Sequence, residues 1–213
     1  MKKIFLTFII LFISCSNEEE TYIGGKILKK NNNEISVQKG ENLIKKININ
    51  EQGLFSSKLD SIEDGLYNFF HLPEFQYLIF EKGDSLVLRL NVLDFDESLV
   101  FTGKGSAKNN YLIDIFLKHE QEENFIKSKN KLKEKEFKKL LDSLLNNKIN
   151  NYKKFLKNNK ITRTSKLILE NAIKLPIYSS FETYISNLES PLKSNDIYDF
   201  RNDIDLNIES LSH

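Results

Sequence analysis

The chain has 213 residues, with 31 Lys and Arg against 30 Asp and Glu, for a formal net charge of +1. That balance excludes a global electrostatic draw toward nucleic acid. One cysteine excludes a disulfide framework and a two-thiol redox centre. Lys2 and Lys3 open the chain, and Ile4 to Ile13 follow as an apolar run broken only by Thr7. The run is too short to span a bilayer comfortably. Ser14 and Cys15 close it, and Ser16-Asn17-Glu18-Glu19-Glu20 is strongly polar.

A small residue and then a cysteine, directly after an apolar core, resembles the lipobox read by lipoprotein signal peptidase. Phe12 stands where Leu is usual. The resemblance implies that the Cys15 thiol takes a diacylglyceryl group, that cleavage falls between Ser14 and Cys15, and that the new amino terminus is acylated. Each buried methylene contributes ~0.8 kcal/mol, so several acyl chains on one residue give stable membrane attachment. Glu18-Glu19-Glu20 resembles the surface-export signal of Bacteroidetes lipoproteins, and the same charge also suits a solvated tether. Loss of residues 1 to 14 from 213 leaves 199, and loss of Lys2 and Lys3 leaves 29 basic against 30 acidic residues, a net charge of −1. The expected localisation is the outer membrane, on its periplasmic or its cell-surface face.

From Tyr22 to Thr102 short apolar runs alternate with glycine and polar turns. Strands are expected at Ile23–Leu28, Ile35–Val37, Leu43–Ile49, Leu54–Leu59, Leu66–Phe70, Phe75–Phe80, Leu86–Val92 and Leu99–Phe101. Glu51-Gln52-Gly53 closes a turn. Glu81-Lys82-Gly83-Asp84 reads as a hairpin between two apolar runs. Phe69, Phe70, Phe75, Tyr77 and Phe80 suit a strand core better than a ligand groove. After Gly103-Lys104-Gly105 the period becomes helical: Tyr111, Leu112, Ile115 and Phe116, then Phe137 to Leu156, then Ser165 to Leu175. Pro176 predicts a kink or interruption before Tyr178 to Leu188, and 194 to 213 lacks a clear period. The expected class is α+β, an N-terminal antiparallel β-sandwich (22–103) followed by an α-helical domain (104–213), after a signal peptide (1–14) and an acidic tether (15–21).

Several short patterns do not reach the chemistry they suggest. Gly103-Lys104 lacks the upstream glycine and the following Ser or Thr of a phosphate loop, and reads as a strand-to-helix connector. His119-Glu120 begins a zinc-protease pattern, but Glu123 holds the position of the second histidine, so His119 reads as helix surface. Asp94, Asp96 and Glu97 lack the glycine turn of a calcium loop and read as an acidic turn at a strand edge. Twelve lysines against five acidic residues in 121–160 read as the solvated face of an amphipathic helix. No catalytic, cofactor-binding or metal-ligating residue is expected, and no nucleic-acid partner.

Gly53-Leu54-Phe55, Gly65-Leu66-Tyr67, Glu81-Lys82-Gly83-Asp84-Ser85-Leu86 and the stretch Phe95 to Leu112, with Thr102-Gly103-Lys104-Gly105-Ser106-Ala107-Lys108-Asn109-Asn110, recur in that order. The series is similar to the amino-terminal, non-catalytic region of TlpA-type thiol-disulfide oxidoreductases of Bacteroidetes. The resemblance implies a β-sandwich and a helical segment preceding a thioredoxin-like domain with a Cys-x-x-Cys pair. No cysteine follows Cys15, so no catalytic residue carries over. The expectation is a membrane-anchored, non-enzymatic binding or scaffolding module for an envelope protein or peptide. The alternative is a truncated oxidoreductase whose thioredoxin domain is missing from this chain.

Overall fold

A computed structural model describes residues 20–60 and 62–187. Ser14, Cys15, most of the acidic tether and the stretch 194–213 lie outside the described residues. Eight strands fall where the short apolar runs predict them: β1 (Thr21–Leu28), β2 (Glu34–Lys39), β3 (Asn42–Asn48), β4 (Leu54–Leu59), β5 (Gly65–His71), β6 (Glu74–Phe80), β7 (Ser85–Asn91) and β8 (Val100–Thr102). They form two four-stranded sheets, ordered β4-β1-β7-β8 and β3-β2-β5-β6. Among the described residues, β1 and β7 run parallel and the other paired strands run antiparallel.

Alternation puts every second side chain between the sheets. Ile23 and Ile27 of β1 and Leu86, Leu88 and Leu90 of β7 face Val37, Tyr67, Phe69, Leu78 and Phe80 of the other sheet in one buried cluster. The architecture is therefore a sandwich with α-helices appended, an α+β fold. Glu81–Asp84 does not make the expected hairpin, because β6 belongs to one sheet and β7 to the other. A polar turn between two apolar runs has the same local pattern whether the strands pair or the chain crosses the sandwich. After β7, a 3-10 turn (Val92–Asp94) and a short helix α1 (Phe95–Ser98) carry the acidic residues, and Phe95 is buried in the core.

Three long helices follow: α2 (Ser106–Lys127), α3 (Glu134–Asn158) and α4 (Arg163–Ser186). Leu112 and Ile115 of α2 pack with Leu169 and Ile173 of α4, whereas Ile126 packs with Ile177, Phe181 and Tyr184. The residue numbers rise together, so α2 and α4 run side by side in the same direction. α3 returns between them, with Phe137 at the far end and Tyr152 at the near end. Its Lys135, Lys139, Lys153 and Lys157 are exposed, opposite the buried Phe137, Leu141 and Tyr152. The expected interruption at Pro176 is absent, since α4 continues through it. Proline leaves the Ala172 carbonyl without its intrahelical donor, and Ile173 and Ile177, buried on either side, hold the helix together.

The first turns of α2 are bound to the sandwich by two consecutive asparagines. Asn109 Oδ1 accepts from the Ile79 amide (2.8 Å) and its Nδ2 donates to the Ile79 carbonyl (2.9 Å), pairing with edge strand β6 as a missing strand would. Asn110 does the same to Phe101 of edge strand β8, at 2.8 and 2.9 Å. One edge of each sheet is thereby capped at a single residue, where an open ladder would invite pairing with another chain. The cores interpenetrate as well, since Ile113 of α2 belongs to the sandwich core and Ile79 of β6 to the helical one. Burying each such side chain is worth roughly 1.5–3 kcal/mol. Asn109→Ala leaves the buried Ile79 amide and carbonyl unpaired and should cost about 1–3 kcal/mol for each group. Asn109→Asp keeps the acceptor for the Ile79 amide but sets a buried carboxylate oxygen against the Ile79 and Gly105 carbonyls, so it should lose at least as much. Urea midpoints at constant slope measure both, and a smaller loss for Asn109→Asp than for Asn109→Ala would contradict the assignment.

Candidate functional site

Both glycines of the β8-to-α2 connector are required by close approach. A Cβ on Gly103 would lie 2.1 Å from the Ser85 carbonyl, and one on Gly105 would lie 2.5 Å from the Asp84 carboxylate. This contact sets α2 against the Glu81–Asp84 crossing turn. Lys108 Nζ then sits 2.6 Å from Asp84 Oδ2 and 3.2 Å from Glu81 Oε2, and only 2% of the lysine is exposed. The other oxygen of Glu81 accepts from the Thr162 hydroxyl (2.6 Å), the Thr162 amide (3.3 Å) and the Ser165 hydroxyl at the start of α4. A carboxylate there also complements the positive end of the helix. The same turn receives β1 through Tyr22 N to Asp84 O (2.8 Å) and Gly83 N to Thr21 Oγ1 (3.0 Å). The cluster is a structural junction, with Lys108 and Asp84 almost wholly buried.

Because α2 and α4 leave this junction together, they share a seam, and two cavities lie along it. The first, about 580 Å³, is walled by the β5–β6 side of the sandwich and the first halves of both helices. Leu66, Tyr77, Leu112, Phe116, Ile168 and Leu175 make it predominantly apolar. Its volume falls in the ~300–1,000 Å³ range of ligand clefts. The second, about 220 Å³, lies along the second halves of the helices and is mixed: Glu123, Lys127, Ser179, Ser180 and Thr183 line it together with Ile126, Phe137 and Tyr184. His119 of α2 and Pro176 of α4 border both cavities.

His119, read from sequence as helix surface, is half-buried at this changeover. Its Nδ1 is buried and has no hydrogen-bond partner among the described residues. Burial pushes the imidazole below its ordinary pKa, and Lys148 adds to the effect, so the neutral ring prevails near pH 7. Neighbouring Glu122 pairs with Lys148 at 2.7 Å.

The aromatic cluster divides by alternation. Phe69 and Phe80 are fully buried between the sheets, as the core reading predicts. Phe75 and Tyr77 lie on the opposite face at 46% and 44% exposure, ring against ring at 5.6 Å, and Tyr77 lines the apolar cavity. Gly103-Lys104 is the connector expected of it. Asp96 accepts from Gln76 Nε2 (2.7 Å) and is raised in pKa by burial. His71, far from the seam, is fully buried in the sheet, with Nδ1 3.1 Å from the Glu34 carbonyl and Nε2 accepting from the Asn31 amide. Its ring therefore carries its proton on Nδ1. Cys15 and Ser14 lie outside the described residues.

Comparison with protein-family models, with curated proteins and with solved structures found no match.

The two carboxyls of the junction shift in opposite directions. Burial raises Asp84, against the pull of Lys108. Burial would also raise Glu81, but the Ser165 and Thr162 hydroxyls and Lys108 hold it below its usual value. A lowered carboxyl contributes stability that is present above the unfolded-state pKa and lost as pH falls through the folded one. The acid-labile part of the junction is therefore Glu81. Glu81→Gln should lower stability at neutral pH and flatten its decline below about pH 4.5. Parallel acid limbs for wild type and variant in urea titrations would contradict this.

Proposed function

We propose that this chain is a cell-envelope lipoprotein, held to the outer membrane by acylation of Cys15, whose folded part is a non-enzymatic binding module. The observation that carries the binding assignment is the seam between α2 and α4. It holds a ligand-sized apolar cavity beside the junction, bordered at His119 and Pro176 by a smaller cavity of mixed lining. The anchor rests on the sequence, in which an apolar run ends at Ser14-Cys15 and gives way at once to polar residues. No described helix is long and apolar enough to cross a membrane. The resemblance to TlpA-type oxidoreductases supports a second reading, kinship with the non-catalytic region of those enzymes. In this chain the Cys-x-x-Cys chemistry has no residues to work with.

Cys15→Ala should abolish incorporation of an alkyne-labelled fatty acid and release or mislocalise the protein. Unchanged labelling would refute the anchor. With its one thiol acylated, the mature chain should show no turnover in an insulin disulfide-reduction assay, and appreciable turnover would refute the non-redox assignment.

A further inference from the structure

The two cavities differ in chemistry and share His119 and Pro176 as their border. The apolar half is bounded by Leu112 and Phe116 on α2 and by Ile168 and Leu175 on α4, and the more polar half by Glu123, Lys127, Ser179 and Thr183 further along the same helices, together with Ile126 and Phe137. From Leu112 to Lys127 their linings run along α2 for 15 residues, about 22 Å at ~1.5 Å per residue. Away from His119, three of the polar side chains bordering the apolar half are already engaged. Gln76 donates to Asp96 and accepts from the Tyr77 amide, Asn171 donates to the Leu167 carbonyl, and Asp64 accepts from the Lys82 amide. A peptide laid there would bring amides and carbonyls that need partners, whereas a hydrocarbon chain needs none. In the polar half, Glu123 and Lys127 stand 2.7 Å apart and present both signs of charge at one place. Hydroxyls of Ser179 and Thr183 line the same space.

We infer that the seam binds a single-chain amphiphile, its acyl chain in the apolar half and a zwitterionic phosphate–ammonium headgroup against Lys127 and Glu123. The inference rests on the reading of the chain as an envelope binding module, and it names the ligand class of that module. His119 sits where chain meets head, and its unpartnered Nδ1 accepts a hydrogen bond from a hydroxyl on the linker between the two. Leu66, Phe116 and Leu175 at the rim keep just over a third of their surface exposed, and an acyl chain would cover it.

The test uses the full chain in washed envelope membranes and a lysophosphatidylethanolamine carrying a photoactivatable diazirine on its acyl chain. Peptide mapping should place cross-links on 112–119 and 168–176, and excess unlabelled lysophosphatidylethanolamine should remove them. Leu175→Glu and Phe116→Glu each put a charge at the exposed rim of the apolar half, without touching a core position. Each should reduce labelling about tenfold or more. Lys127→Ala should weaken the zwitterionic probe about threefold and leave a diazirine fatty alcohol unaffected. Cross-links scattered outside the seam, labelling indifferent to competitor and to both rim variants, or capture of an apolar peptide in place of the lipid would overturn the inference. Labelling reads the seam and fatty-acid incorporation reads Cys15, so either proposal can fail while the other stands.

Discussion

The ion cluster at the Glu81–Asp84 turn is the contact on which the arrangement of this molecule depends. One ammonium group, Lys108, lies between two carboxylates, out of water. Those carboxylates sit where the chain crosses from one sheet to the other. Asp84 fixes α2 through Lys108 and the bare Gly105 backbone. Glu81 fixes α4 through Thr162 and Ser165. Removing one partner from a buried pair costs about 3–5 kcal/mol, because the remaining charge is left uncompensated. Against a typical total stability of about 5–15 kcal/mol, this one cluster is comparable with the margin that keeps the fold.

Its position has a geometric consequence. Two helices started from one turn leave in the same direction and lie side by side, with α3 returning between them. A parallel pair of this kind has a long seam, and its character changes with distance from the sandwich. Near the junction, Tyr77 and Leu66 of the sheet add apolar surface to the walls. Beyond His119 the sheet no longer contributes, and Ser179, Ser180, Thr183 and the Glu123–Lys127 pair share the walls with Ile126, Phe137 and Tyr184. The amphipathic character of the seam thus follows from where the sandwich ends.

Most of the fold is legible in the sequence, because each element carries its own period. Leu86, Leu88 and Leu90 announce a half-buried strand, and Phe137, Leu141 and Tyr152 a helix face. The order of strands in the sheets is not legible, since it depends on contacts distant in the chain. The Glu81–Asp84 turn shows why: its glycine and polar residues advertise a reversal but not the sheet that receives it. Lys108-Asn109-Asn110, three polar residues in the first turns of a helix just after a short strand, was the available clue that buried polar groups needed these partners. The seam was hidden for a similar reason. Its walls come from Leu66, Phe116 and Leu175, more than a hundred residues apart at the extremes, and alternation along β6 conceals that Tyr77 turns outward while Phe80 turns in. His119 gave no local sign of its half-buried position, since the residues burying it lie on other helices.

Native-state hydrogen exchange on Lys108→Met tests the central role of the junction most directly. If the cluster holds both helices to the crossing turn, amides in the first turns of α2 and α4 and in the 81–85 turn should lose protection together, while β2 and β3 keep theirs. Loss confined to α2, with the start of α4 as protected as in wild type, would show that the helices are seated independently and would contradict the account.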